Sequence, residues 1–432
     1  MAPLLSNRTL CLARLLGAVL LALGGCASLT RLPAEPPAAE VAAQPEITGC
    51  LPTQVADNGA SGTSQALPLE PCRFLVERDT SGFAVEAASM VRREHAWWES
   101  QGHTGPLPPF SILAISGGGD DGAFGAGLLV GWTEAGTRPT FNVVTGISTG
   151  ALIAPFAFLG PAYDPQLKAV YTTISQRDVF KARGLLQGFM SDAFSDTTPL
   201  AKMLERYVDQ AFLDAVAAEY QKGRLLLIGT SNLDTQEPVI WNMTAIAASK
   251  DPRALPLFRK ILLASASIPG AFPPVMIEVE ANGVHYHEMH VDGGAEAQVF
   301  AYPPSVSLDE AVTQVDPQRK SVVYVIRNSH FDPEWSSVKR STFPIVTRSI
   351  SSLITAQGVG DLYQMYHLAQ RDGADFNLAY IPKSFDVPHK GQFETSYMQA
   401  LFKTGYDMAR GGYPWDKEPP GYNAPLRVTP EQ

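Results

Sequence analysis

From Phe110 onward, short apolar runs alternate with segments whose apolar residues recur at helical spacing. The run Phe110–Ser116 (FSILAIS) has the unbroken hydrophobicity of a buried strand, and Gly122–Gly136 follows it with a helical pattern that stops at a glycine. A second apolar run, Phe141–Gly146 (FNVVTG), precedes a helix that begins at Thr149. This alternation predicts an α/β fold in which helices cover the faces of a sheet.

The rest of the chain continues the same pattern. We predict neighbouring strands over Arg224–Leu233 and Glu237–Asn242, and one helix over residues 198–212 (TPLAKMLERYVDQAF) with Thr198 as its N-cap. A long helix over Ile345–Arg371 and a final helix from Thr395 follow. The tail from Gly411 is rich in Gly and Pro, and we expect it to be only partly ordered.

The first helix opens on a glycine loop, SGGGDDGAFGAG, over Ser116–Gly127. Gly117, Gly119 and Gly122 satisfy the spacing of a dinucleotide-binding loop, which also needs an acidic residue about 20 positions later at the end of the second strand. That strand ends instead in Gly146, Ile147 and Ser148. A glycine loop at a helix N-terminus also presents unpaired N–H groups, which suit the oxyanion of acyl transfer.

Ser148 lies between two glycines in GISTG, residues 146–150. The G-x-S-x-G pattern alone is weak and is often a simple turn, but here a strand precedes it and a helix follows it. The glycine loop ends about 25 residues earlier at the end of another predicted strand. Because neighbouring parallel strands bring such ends together, the sequence predicts Ser148 as a nucleophile beside an oxyanion loop.

A serine nucleophile needs a base. The chain has eight histidines, of which His330 and His389 lie in predicted loops and are candidates for a conventional Ser-His-Asp triad. A more distinctive segment is VDGGAEA, residues 291–297, where a strand runs into Asp292 and two glycines follow. Asp292 is therefore the second candidate for the base.

Taken in order, the glycine loop, GISTG and VDGGAEA resemble the motifs of the patatin-like phospholipase family. The resemblance extends over Phe110 to Ala409, and it implies a three-layer α/β/α sandwich with a central, mostly parallel sheet. It implies Ser148 as nucleophile, Asp292 as base in a histidine-free dyad, and an oxyanion hole from the amides of the three consecutive loop glycines. The catalytic, oxyanion and motif residues that it implies are Ser148, Asp292, Gly117, Gly118, Gly119, Gly122, Gly146, Gly150, Gly293 and Gly294.

The resemblance has one departure. Many family members carry Arg or Lys just before the last glycine of the loop, where this chain has Asp121 after Asp120. A cation there would favour an anionic headgroup and two carboxylates would oppose it, so we expect no preference for anionic phospholipids. Neutral lipids, zwitterionic lipids, lysophospholipids and short-chain esters remain open as substrates.

The spacing His285, His287 and His290 raises the possibility of a metal site. On a strand, the first two share one face and His290 falls on the other with Asp292, so a polar strand edge is the better interpretation. We expect no metal and no cofactor.

The formal net charge is −10, and no basic block stands out, so nucleic-acid binding is not expected. An acidic protein is repelled by anionic lipids unless something else attaches it.

Residues 1–25 have the form of a secretory signal, and Leu23–Cys26 (LGGC) resembles a lipobox with Cys26 as the lipidated residue. The alternative is an ordinary signal cleaved near Ala27. In the lipoprotein interpretation, Cys26 carries the lipid anchor. Ala27, the residue after it, favours the outer membrane, with the protein facing the periplasm.

The remaining cysteines indicate an oxidising compartment. Cys11 leaves with the signal and Cys26 would be lipidated, so Cys50 and Cys72 are predicted to form a disulfide. The predicted organisation is a signal over 1–25, a lipidated tether and extension over 26–105, a hydrolase domain over 106–410 and a tail over 411–432.

Together these features predict a lipid-anchored lipid acyl hydrolase whose partner is a lipid or fatty-acyl ester. Two alternatives stay open: a catalytically weak or inert envelope protein that binds lipid, and a Ser-His-Asp esterase. The sequence does not predict an oligomeric state.

Overall fold

The computed structural model describes residues 31–36, 43–45, 47, 71–76, 80–184, 191–332 and 337–422. The predicted signal segment, Cys26 and Cys50 lie outside the described residues. Cys72 is disulfide-bonded and fully buried. Its pairing with Cys50 stays a prediction.

A large mixed sheet forms the centre of the molecule. Its strand order is β1-β9-β10-β7-β4-β3-β11-β12, with β8 also paired to β7 and β2 to β8. The strands of this sheet are β1 Gln44–Pro45, β2 Arg73–Leu75, β3 Phe110–Ile115, β4 Val143–Gly146, β7 Leu225–Asn232, β8 Glu237–Asn242, β9 Val275–Ala281, β10 Val284–Asp292, β11 Ser321–Arg327 and β12 Asp375–Tyr380. A separate two-stranded sheet pairs β5 Lys181–Ala182 with β6 Ser195–Asp196.

Five consecutive strands of the sheet are parallel: β7, β4, β3, β11 and β12. Three of them, β7, β4 and β3, are buried along their whole length, as expected for parallel strands covered on both faces. The strands β8, β9 and β10 extend the sheet with antiparallel pairing.

Helices cover both faces of the sheet. The bounds are α1 Thr80–Ser100, α2 Gly122–Glu134, α3 Thr149–Leu159, α4 Asp164–Thr173, α5 Gln176–Val179, α6 Thr198–Tyr207, α7 Gln210–Tyr220, α8 Met243–Ala248, α9 Ala254–Ser265, α10 Leu308–Thr313, α11 Thr342–Arg371 and α12 Thr395–Arg410. The largest packed group contains α2 to α9 and α12, whereas α1 packs against α10 and α11 packs against β12. The predicted α/β class and three-layer arrangement are confirmed.

The helix predicted over residues 198–212 is instead two helices. Thr198 is not the N-cap: it follows the cap residue Thr197, and its own N–H and hydroxyl both donate to Asp196 Oδ1. The helix ends at Tyr207 because Asp209 caps α7, accepting a hydrogen bond from the Phe212 N–H at 2.8 Å. The helix break between α6 and α7 therefore comes from Asp209, a capping residue that lies within the predicted helix.

Part of the predicted tether belongs to the folded domain. The Arg31 guanidinium binds both carboxylate oxygens of Asp234, at 2.9 and 2.7 Å. The Leu32 N–H donates to His287 Nδ1, and the His287 N–H donates to the Pro33 carbonyl. Residues 31–36 therefore lie along β10, and β1 adds to the edge at β9.

The described part of the tail also packs onto the sheet. Trp415 contacts Trp132 and Tyr324, with ring centroids 4.8 and 5.1 Å apart, and Asp416 pairs with Leu378 of β12. Among the described helices, none combines the length and hydropathy that crossing a bilayer requires.

Candidate active site

Two strand ends meet on one edge of β7. The strand β4 runs parallel to the first half of β7 and stops with Gly146 opposite Ile228. The strand β10 runs antiparallel along the second half and stops with Asp292 opposite Thr230. The two strands approach head to head at Gly229, so the residues at their ends are brought together although 144 positions separate Ser148 and Asp292.

Ser148 lies on a strained turn between β4 and α3. Its backbone has φ 56° and ψ −124°, a conformation that non-glycine residues rarely adopt. The Ser148 N–H donates to Ser265 Oγ at 3.0 Å, and Ser265 Oγ donates to the Gly229 carbonyl at 2.7 Å. A Cβ at Gly150 would overlap the Ile115 carbonyl oxygen, so only glycine lets α3 begin this close to β3. The turn presents the hydroxyl in the manner of a nucleophile elbow.

The Ser148 hydroxyl donates to Asp292. The distance from Ser148 Oγ to Asp292 Oδ2 is 2.6 Å, with no imidazole between them. The other carboxylate oxygen, Oδ1, accepts from the Gly294 N–H at 2.8 Å, and the Asp292 N–H donates to the Ser267 carbonyl at 2.9 Å. Both oxygens and the backbone of Asp292 are thus held in place, and the side chain has one orientation toward the serine.

Burial changes the acidity of Asp292. Only 5% of the residue is exposed, and desolvation raises its pKa to about 6, against the lowering effect of the hydrogen bonds from Ser148 and the Gly294 N–H. A carboxylate with this pKa is a stronger base than an ordinary aspartate and is still mostly ionised at neutral pH. The pair Ser148–Asp292 therefore has the geometry and the proton affinity of a nucleophile with its base.

The glycine loop lies against the serine, but its three amides differ. The Gly117 N–H already donates to the Gln298 carbonyl at 3.0 Å, so the prediction that this amide contributes to an oxyanion hole is wrong for this conformation. Among the described residues, no acceptor engages the N–H of Gly118 or Gly119. These two amides are the donors left for a developing negative charge.

Asn328, at the end of β11, holds the loop in this shape. Its Nδ2 donates to the Ser116 carbonyl and its Oδ1 accepts from the Gly125 N–H, each near 3 Å. Gly118 has φ 153°, and a Cβ there would overlap the Asn328 carbonyl oxygen. Gly118 is therefore confined by its close approach to Asn328.

The family model of patatin-like phospholipases matches residues 113–303, a range that contains the glycine loop, Ser148 and Asp292. Residues 113–303 form a patatin-like phospholipase domain. The match stops short of the predicted limit at Ala409. No curated protein is significantly similar to the chain.

Several solved structures are similar to the chain at low sequence identity. VipD from Legionella pneumophila is 12% identical over 71% of this chain and 66% of its own, with a TM-score of 0.38. The complex of SpcU with ExoU from Pseudomonas aeruginosa is 13% identical over 70% of this chain and 52% of the matched chain, with a TM-score of 0.32. Human GIVD cytosolic phospholipase A2 is 12% identical over 71% and 51%, with a TM-score of 0.29. The chain thus spans between half and two thirds of these proteins.

In the patatin-like domain, the acidic pair of the glycine loop has specific partners. Asp120 is 7% exposed, and its Oδ2 accepts hydrogen bonds from His389 Nε2 at 2.8 Å and from the Phe393 N–H at 2.7 Å. Asp121 Oδ1 accepts from the Tyr397 hydroxyl at 2.6 Å. These carboxylates tie the glycine loop to the segment that leads into α12.

The histidines have other partners. His389 bonds Asp120 as described, and His330 stacks on Phe385. His290 is fully buried between Thr230 Oγ1 and Glu288 Oε2, at 3.0 and 2.8 Å. Among the residues that the structure describes, no three His, Cys, Asp or Glu side chains are grouped to hold a metal ion.

An apolar cavity of about 530 Å³ adjoins the dyad in the patatin-like domain. Its wall includes Ile147 and Gly293, the sequence neighbours of Ser148 and Asp292, together with Phe300 and Met365, but not Ser148 or Asp292 themselves. Its size is that of an ordinary small-molecule pocket.

Sequence reasoning did not assign three residues that shape the site: Ser265, Gln298 and Asn328. Ser265 lies in ASASIPGAF, residues 264–272, within the range over which the family resemblance extends, so a signal existed for it. Gln298 and Asn328 act through hydrogen bonds to the backbone of distant loops, for which the sequence carries no local pattern.

Proposed function

We propose that this protein is a serine-dependent lipid acyl hydrolase that cleaves carboxylic esters through a Ser148–Asp292 dyad and an acyl-enzyme. The observation that carries the proposal is the 2.6 Å hydrogen bond from Ser148 Oγ to Asp292 Oδ2. The patatin-like phospholipase domain supports a lipid as the substrate.

In the first half of the reaction, Asp292 takes the Ser148 proton as Oγ attacks the ester carbonyl carbon. The amides of Gly118 and Gly119 would stabilise the oxyanion of the tetrahedral intermediate. The intermediate collapses when the carbon–oxygen bond to the alcohol breaks, and the departing alkoxide takes the proton from Asp292. The acyl group remains on Ser148.

In the second half, Asp292 takes a proton from water as the water oxygen attacks the acyl-enzyme. The bond to Oγ breaks, Ser148 recovers the proton, and a fatty acid leaves. One carboxylate therefore acts as base and acid in turn, which its raised pKa permits.

The apolar cavity supports a fatty-acyl group rather than a polar acyl group. The glycine loop carries Asp120 and Asp121 and no cation, so nothing in it favours an anionic headgroup. Because Asp120 and Asp121 are held by His389 and Tyr397, their main effect is on the shape of the loop.

We further propose that the protein is a lipoprotein anchored through Cys26 in the outer membrane, on the periplasmic side. Four residues lie between Cys26 and Arg31, which is bound to Asp234. The five steps from Cα to Cα span at most about 18 Å when fully extended, so such an anchor would hold the β10 edge of the sheet close to the bilayer. Mass spectrometry of the mature N-terminus tests this: an acylated Cys26 is expected, and a free amine at Ala27 or beyond would contradict it.

Fatty-acid release from a panel of lipids tests the function. We expect the purified protein to release fatty acids from phosphatidylcholine, lysophosphatidylcholine or a neutral glyceride, and Ser148→Ala to release none. Release by Ser148→Ala at the wild-type rate would show that another group carries the activity. No release by either protein, together with no fluorophosphonate adduct at Ser148, would favour an inert lipid-binding protein.

A further inference from the structure

The first half of α11 projects from the molecule with apolar side chains in solvent. The second half is packed: Leu362 and Ala369 are fully buried. In the first half, Leu353 is 69% exposed, the highest value among the large apolar residues that the structure describes, and Ile345 and Val346 are nearly half exposed. Together with Val338 just before the helix, they make up four of the ten exposed large apolar residues in the described chain. We call residues 338–357 the projecting segment.

The charge of this segment is opposite to that of the whole chain. Residues 337–360 contain Lys339, Arg340 and Arg348 but no Asp or Glu, whereas the protein as a whole carries −10. Exposed apolar residues beside cations, without acids, are the composition of helices that lie in the interface of a bilayer. A second copy docked symmetrically on the same surface would set these cations against each other.

The C-terminal end of the projecting segment lies close to the active site. At the junction, Asp361 Oδ2 accepts from the Gln298 N–H at 2.6 Å. Gln298 in turn contacts both parts of the site: its Nε2 donates to the Gly294 carbonyl, and its carbonyl accepts from the Gly117 N–H. An interfacial helix at this position would hold the dyad next to the lipid surface.

We infer that the projecting segment is a bilayer-docking element: Ile345, Val346 and Leu353 insert among the acyl chains, and Lys339 and Arg340 face lipid phosphates. The benefit for catalysis rests on the proposed lipid substrate, whereas the docking itself does not. The segment lies in the interface rather than crossing the membrane.

Site-specific fluorescence tests the docking. The variant Leu353→Cys is made in the full chain with Ser148→Ala, so that vesicles are not consumed, and is labelled with a polarity-sensitive fluorophore. Cys72 is disulfide-bonded, so it does not compete for the label. Vesicles of phosphatidylcholine with one quarter phosphatidylglycerol are then added. Val85→Cys, at an apolar position of α1 that is 49% exposed, is the matched control.

With the label at position 353, we expect brighter, blue-shifted emission that nitroxides on the lipid acyl chains quench, and with the label at 85 we expect no change. A label at 353 that stays in water on vesicle-bound protein would overturn the inference. A blue shift without vesicles that grows with protein concentration would overturn it in favour of a second copy.

Kinetics give an independent arm. We expect Ile345→Ser with Leu353→Ser to lower the rate on vesicles by roughly tenfold or more, since two apolar side chains no longer insert, and to leave the rate on a dispersed short-chain ester unchanged. Equal loss on both substrates, with the fold intact by thermal unfolding, would contradict docking. If the labelled protein docks on vesicles but the wild-type protein hydrolyses no lipid, this inference stands and the proposed function is wrong.

Discussion

At the residue scale, the site depends on how one carboxylate is held. Asp292 is buried and has three fixed contacts: the Ser148 hydroxyl, the Gly294 N–H and the Ser267 carbonyl. Burial makes it basic enough to accept a proton, and the contacts keep it aimed at the serine. Neither effect needs a histidine.

The pKa of Asp292 predicts how the rate depends on pH. Because the carboxylate must be ionised to take the proton, kcat/KM for a soluble ester should fall tenfold per unit as the pH drops below about 6 and level off above it. Asp361 is the necessary control, since burial also raises its pKa to about 6. The profile of Asp361→Asn should keep the same midpoint. If that variant loses the midpoint, the titration belongs to Asp361.

At the scale of elements, the glycine loop and the two strand ends do the positioning. The pairing of the loop with Ser148 could be predicted, because both follow strands and β3 and β4 are parallel neighbours. The placement of Asp292 followed only from the family resemblance. The physical cause, β4 and β10 sharing one edge of β7, is a long-range pairing that has no signature in local sequence.

The wrong prediction for the Gly117 amide also results from a long-range contact. A run of three glycines predicts three available amides, but Gln298, far along the chain, takes the first of them. Likewise, the partners of Asp120 and Asp121 lie some 270 residues away, and charge alone predicted repulsion of a headgroup rather than anchoring of the loop.

Two adjacent glycines in the loop should respond differently to alanine. A Cβ at Gly118 would overlap the Asn328 carbonyl, whereas at Gly119 nothing lies within 4 Å. Gly118→Ala should therefore displace the loop and lower kcat by about 10²–10³, the usual effect of losing an oxyanion donor. Gly119→Ala meets no such overlap, so only the strain of an alanine at φ 60° remains, and it should cost much less. Equal kinetic effects in the two folded variants would argue against an oxyanion role for this loop.

At the scale of the whole molecule, the N-terminal segment is fastened to the domain through a buried acid. Composition predicted a tether here, because Ala and Pro dominate the segment. It did not reveal that Arg31 binds Asp234 or that Glu35 lies beside Glu288 of β10. Glu35 is 5% exposed, and desolvation together with the nearby charge of Glu288 raises its pKa to about 8.

The raised pKa of Glu35 makes the docking of residues 31–36 depend on pH. Between the ordinary carboxyl pKa and about 8, the docked segment binds a proton that the released segment does not, so docking is strongest at low pH and weakens as the pH rises toward 8. Hydrogen exchange of residues 31–36, corrected for intrinsic rates, should lose about a hundredfold in protection between pH 6 and pH 9, nearly all of it below pH 8. Glu35→Gln removes the titrating group and should lose this dependence. If Glu35→Gln keeps the same pH dependence of hydrogen exchange, another titrating group is responsible for it.

The most direct measurement is the rate at which a fluorophosphonate forms its adduct with Ser148, followed by intact mass at neutral pH. If Asp292 alone activates the hydroxyl, Asp292→Asn should label about 10²–10⁴ times more slowly than wild type, and His330→Ala and His389→Ala should label at nearly the wild-type rate. Labelling of Asp292→Asn at the wild-type rate, or an equally slow histidine variant with its fold intact, would contradict the dyad.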